Sequence, residues 1–122
     1  MRVCIESPLR GDVARNVTYA ELCMLDALER GEAPFLGHLL YPRVLDDERT
    51  AHRDAGIAAH LAWLEVADLV AVYEDLGVTS GMRAAIDLAA RIGKPYVMRS
   101  FGVDWADGVA RVARTSGFTL HH

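Results

Sequence analysis

Arg2-Val3-Cys4-Ile5-Glu6-Ser7-Pro8-Leu9-Arg10-Gly11-Asp12 is an apolar strand running into a glycine-punctuated turn, and the chain repeats the device. Asp68-Leu69-Val70-Ala71-Val72-Tyr73 is a second apolar strand, followed by a short loop, Ser80-Gly81-Met82 and a helix. Such turns lie at the carboxyl ends of strands in a parallel α/β sheet, where ligands bind. Backbone N–H groups at a helix start attract anions such as phosphate. These two stretches predict a small-molecule pocket for something phosphorylated.

The rest of the chain alternates in the same way. A helix is expected over residues 13–30, with Val13, Val17, Ala20, Met24 and Leu28 on its buried face and Gly31 as its stop. Residues 34–40 read as a second strand, and residues 41–48 as a long irregular loop of the kind that is often functional. A second helix is expected over residues 51–66, with Ile57, Leu61 and Leu64 facing inward. Residues 69–73 form a central strand buried on both sides. Ser80 fits an N-cap for a helix reaching residue 92. Gly93-Lys94-Pro95 precedes a fourth strand at 96–98, a last helix spans 103–115 with Trp105, Val109 and Val112 facing in, and residues 118–120 suit a fifth strand. The expected fold is a flavodoxin-like, doubly wound parallel α/β sheet of about five strands, order 2-1-3-4-5, with helices on both faces. It occupies residues 1–122 as a single domain.

Composition narrows the function. The chain has 122 residues, 52% of them hydrophobic and 25% charged, with a formal charge of −4. Scattered basic residues argue against a nucleic-acid binder, which needs a clustered basic face. No apolar run approaches the ~20 residues of a membrane helix, and no signal-peptide pattern opens the chain, so a cytoplasmic protein is expected. Cys4 and Cys23 lie in apolar segments without ligand-like spacing and read as buried reduced thiols. His38 and His52 flank the long loop at a separation that is no zinc spacing, so neither a metal nor a cofactor is expected.

In order along the chain, Ser7-Pro8-Leu9-Arg10-Gly11-Asp12, Asn16, His38-Leu39-Leu40-Tyr41-Pro42, Leu45-Asp46-Asp47, Arg53, Gly56-Ile57, Asp68, Ser80-Gly81-Met82 and Gly93-Lys94-Pro95 resemble the nucleoside 2-deoxyribosyltransferase-like superfamily, most of all its small phage and prophage branch. The resemblance implies a nucleoside or nucleotide pocket, chemistry at an N-glycosidic bond in active members, and a homodimer or larger homo-oligomer. It also implies a nucleophilic Glu three residues after the Met of Ser-Gly-Met. That position is Ala85 here. A methyl group cannot trap an oxocarbenium-like centre. A position where the superfamily has an Asp that orients the sugar corresponds to His60, and Glu6 stands where the branch has a small residue.

Each candidate has two readings. Ser7, Arg10 and Gly11 hold a phosphate or form an ordinary turn, with Asp12 beside them as a further ligand-binding candidate. Ser80, Gly81 and Met82 bind an anion or merely cap a helix. Asp46 and Asp47 serve a lid or are solvated. Glu6 is a relocated carboxylate facing the ligand, or it makes a salt bridge to a nearby Arg or stands at an outward-facing rim, since a buried unpaired carboxylate is expensive. His38, Tyr41 and His60 line the pocket or belong to the core and helix surface; Trp63 and Trp105 read as core. The expected function is a nucleotide-binding pseudoenzyme that sequesters a nucleotide or ADP-ribose-derived signal, in a host cytoplasm if phage-encoded. The alternative is an N-glycoside hydrolase or deoxyribosyltransferase, silenced by a Glu-to-Ala change at 85 or working through Glu6.

Overall fold

A computed structural model describes residues 1–102 and Trp105. Its elements are β1 (Arg2–Glu6), α1 (Val13–Glu29), β2 (Ala33–Phe35), α2 (Gly37–Leu40), a 3₁₀ turn (Tyr41–Arg43), α3 (Thr50–Val66), β3 (Leu69–Tyr73), α4 (Ser80–Arg91) and β4 (Tyr96–Arg99). All strand pairs are parallel, in the order β2-β1-β3-β4. The expected last helix and fifth strand lie outside the described residues, apart from Trp105, whose ring meets Tyr19 edge-on at 5.9 Å.

The sheet is doubly wound. On one face, Val3, Ile5, Leu69, Ala71 and Tyr73 pack against Tyr19, Ala20, Cys23 and Ala27 of α1. On the other, Cys4, Val70 and Val72 pack against Leu64 of α3 and Met82, Ala85, Ile86 and Ala89 of α4. The chain leaves β1 toward β2 over one face and returns to β3 over the other. The carboxyl ends of β1 and β3 therefore flank the point where strand order reverses, the usual ligand crevice of such sheets. Both cysteines are buried and free. Among the described residues, no helix is long and apolar enough to cross a membrane.

Several expectations are corrected in detail. The buried face of α1 is Asn16, Tyr19, Ala20, Leu22, Cys23 and Ala27, while Val13 and Leu28 are about half exposed. Apolar counting misplaced it because Asn16 and Tyr19 bury polar atoms that find partners. Asn16 Nδ2 donates to the carbonyls of Leu9 and Arg10 at 3.0 and 2.8 Å, pinning the turn after β1. Residues 34–40 are not one strand: β2 ends at Phe35 and α2 begins at Gly37. The N-cap of α4 is Thr79, whose Oγ1 accepts from Met82 N at 3.2 Å; Ser80 is the first helical residue. On α3 only Leu64 is buried, and Ile57, Trp63 and Val66 are each about half exposed.

One ion pair ties the amino end of β2 to the carboxyl end of β4. Arg99 donates twice to Glu32, at 2.7 and 2.8 Å, with side chains 10% and 12% exposed. The bonds from Arg99 outweigh burial and hold the Glu32 carboxyl below its usual range. Breaking a buried pair strands the remaining charge, which costs about 3 kcal/mol. Glu32→Gln is expected to lower the unfolding free energy by that amount, read as a lower urea midpoint with unchanged slope. Because the folded carboxyl is the stronger acid, the contribution is complete at neutral pH and is lost as pH falls through its depressed pKa. Glu32→Gln should flatten that acid limb.

Candidate functional site

Glu6 is the last residue of β1 and is only 6% exposed. A strand places residues i and i+2 on one face, so Cys4 and Glu6 point to the same side, toward α3 and α4. His60 comes from α3, and its Nε2 lies 2.5 Å from Glu6 Oε2. Cys4 Sγ is 3.7 Å from that carboxylate oxygen and 3.8 Å from His60 Nε2. Burial, reinforced by the Glu6 charge and hydrogen bond, pushes the Cys4 thiol far above its ordinary range.

The position of His60 depends on a missing side chain. A Cβ on Gly37 would sit 2.6 Å from His60 Nδ1. Phe35 stacks along the same ring, with centroids 6.2 Å apart and planes 24° from parallel. His60 Nδ1 is buried without a hydrogen-bond partner. A proton there would be an orphaned donor, so the favoured tautomer carries it on Nε2 and donates it to Glu6.

Ser7, buried beside Glu6, makes a 2.7 Å hydrogen bond with Nε2 of His38, the second residue of α2. Burial, aided by nearby His60, lowers the His38 pKa from 6.5 to about 4. Two histidines from different elements therefore close over the end of β1, one on a carboxylate and one on a hydroxyl.

The remaining candidates lie on the turn after β1, on the 3₁₀ turn and loop before α3, and at the start of α4. Arg10 is exposed and reaches Asp47 at 3.2 Å, and Arg53 lies 3.9 Å from the same carboxylate oxygen. His52 Nδ1 accepts from Asp46 N at 2.9 Å, so the loop after the 3₁₀ turn is tied both to α3 and to the turn after β1. Gly11 has φ +100°, and Asp12 caps α1 by accepting from Arg15 N at 3.2 Å. Tyr41 accepts a 2.9 Å hydrogen bond from Trp63 Nε1, and Trp63 packs on Phe35 with centroids 5.3 Å apart, so half-exposed Trp63 is a surface cluster rather than core. Ser80 and Gly81 are exposed at the start of α4, after the strand that pairs with β1; Met82 and Ala85 are buried in the core beneath.

Sequence reasoning missed the roles of Cys4 and Gly37. The alternation Cys4-x-Glu6 was a signal for the first. The second shows only once α2 and α3 are packed together.

A family model described as "Domain of unknown function (DUF7768)" matches residues 1–99. The chain belongs to this family. No curated protein matches it. Among solved structures, it is similar to the 2-deoxyribosyltransferase from the psychrotolerant bacterium Bacillus psychrosaccharolyticus, with 18% identity and a TM-score of 0.63 over 82% of this chain and 72% of that one. At that identity the likeness is one of fold, and it agrees with the flavodoxin-like sheet described for this DUF7768 chain.

The site's electrostatics give a direct expectation. Unfolded His38 takes up a proton near pH 6.5, and folded His38 does so only near 4. Between these values the unfolded state binds more protons, so stability falls as pH drops through this window. Ring-proton NMR should place the His38 midpoint near 4; a midpoint near 6.5 would contradict the buried Ser7–His38 contact.

Proposed function

We propose that this DUF7768 chain binds a nucleoside or nucleotide in the crevice at the carboxyl ends of β1 and β3, and does not cleave it through the covalent route implied for active deoxyribosyltransferase-like proteins. The observation that carries the reading is the buried Glu6–His60 pair at the strand-order reversal. A polar pair so costly to bury, placed where α/β sheets bind ligands, is best explained by a ligand. The fold shared with a 2-deoxyribosyltransferase supports the class of ligand.

Ser7 and His38 supply further polar contacts in this reading, and Arg10 reaches a phosphate when it releases Asp47. Ser80 and Gly81 contribute backbone donors at the start of α4. The protein sequesters its ligand, as an ADP-ribose-derived or nucleotide signal would require. A second copy of the chain covers the half-exposed Ile57, Trp63 and Val66 of α3.

A second reading is favoured by one feature. Positions 6, 60 and 85 are the three departures from the superfamily pattern. Glu6 and His60 touch, and Ala85 packs in the layer that holds Cys4 beneath them. Three coupled changes in one layer suit a carboxylate moved from α4 to β1, which makes Glu6 the acting group of an N-glycosidase.

Base release from a panel of nucleosides and nucleotides separates the two. The binder reading expects saturable thermal stabilisation by a ligand of the panel, about tenfold weaker affinity for it in Arg10→Ala, and no turnover. Losing a covalent nucleophile costs about 10⁴–10⁶ in rate. Turnover by the unmodified chain that vanishes in Glu6→Gln would establish the second reading, and absence of any ligand would remove both.

A further inference from the structure

Three donor atoms of different chemistry converge at the end of β1. Cys4 Sγ, Glu6 Oε2 and His60 Nε2 all lie within 4.8 Å of one another. Two come from alternate positions of one strand and the third from a helix 54 residues on. A tetrahedral zinc ion, with bonds of about 2.3 Å to sulfur and about 2.0 Å to nitrogen or oxygen, holds its donors roughly 3.3–3.6 Å apart. The sulfur already stands 3.7 Å from the oxygen and 3.8 Å from the nitrogen. Only the oxygen–nitrogen pair, at 2.5 Å, is too close, and it must open by about 0.8 Å.

We propose that Cys4, Glu6 and His60 form a binding site for a zinc-class divalent cation. The proposal departs from the sequence expectation of no metal and does not depend on the nucleotide reading. Charge supports it. A thiolate and a carboxylate offset a dication, so the loaded site is neutral, as a buried site must be. Donor type supports it too, since sulfur, imidazole and carboxylate together suit zinc, not magnesium or calcium. Three protein donors leave a fourth position for water or a ligand atom, the pattern of open zinc sites.

The protons balance as follows. The Cys4 thiol loses its proton to solvent as sulfur bonds the metal. His60 releases to solvent the Nε2 proton that it donates to Glu6 in the metal-free state and takes one up on Nδ1, so that Nε2 gives its lone pair to the metal. The Nδ1–H has no acceptor, a cost that the metal bonds offset. That nitrogen faces Gly37, which has no side chain to obstruct the added hydrogen. The Glu6 carboxylate exchanges a hydrogen bond for a metal bond.

The test is a titration of the full chain with Co²⁺ under reducing conditions. The expected result is a one-to-one complex with a thiolate-to-cobalt charge-transfer band and the intense visible bands of tetrahedral cobalt, both bleached by Zn²⁺. Cys23→Ser should keep the charge-transfer band, while Cys4→Ser and His60→Ala should lose it. Should either variant fail to fold, ¹¹³Cd NMR of the unmodified chain decides instead: a resonance shifted by one sulfur donor supports the site. No thiolate band and no sulfur-shifted cadmium resonance would overturn the proposal, as would an undiminished band in Cys4→Ser.

Discussion

A carboxylate buried at the end of the central strand must have a partner, and much of the surrounding structure serves to provide one. Glu6 is fixed on the α3 face by the alternation of β1. Leaving it uncompensated would cost more than most single interactions return. The partner is His60, and its seat against the strand has conditions. The chain must have no side chain at 37, and β2 must end early enough for Phe35 to lie along the imidazole. α2 then delivers His38 to Ser7.

The same constraint links Glu6, His60 and Ala85. In space, two are in contact and the third is small in the layer beneath. The binding reading, the relocated-carboxylate reading and the metal site share this centre and differ in what occupies it. The periphery is more mobile in its chemistry: Arg10, Arg53 and Asp47 form exposed ion pairs, each worth little in stability and easily exchanged for a ligand's charge.

Much of the fold was legible in the sequence, because residues 3–5 and 69–73 are apolar runs separated by segments long enough for crossover helices. Boundaries failed where polar residues are buried. Asn16 and Tyr19 belong to the core of α1 because Asn16 grips the turn carbonyls and Tyr19 bonds Asp75 at 2.6 Å, and periodicity in apolar residues cannot register that. Thr79 displaced Ser80 as cap since adjacent hydroxyl residues are equivalent to a sequence reader. Of the site, Glu6, Ser7, His38 and His60 were each named, but their pairing was not. His60 reaches Glu6 across 54 residues through a notch made by Gly37, and only the packing of α2 against α3 brings those residues together.

The central claim is that a nucleotide-type ligand binds over Glu6, Ser7, His38 and His60. The most direct measurement follows the imidazole signals of all the histidines by two-dimensional NMR while nucleosides and nucleoside monophosphates are added. The account predicts that at least one of these ligands shifts the His38 and His60 ring signals together, saturating at one equivalent, with His52 less affected. Saturable binding that leaves both the His38 and His60 rings unmoved would contradict it.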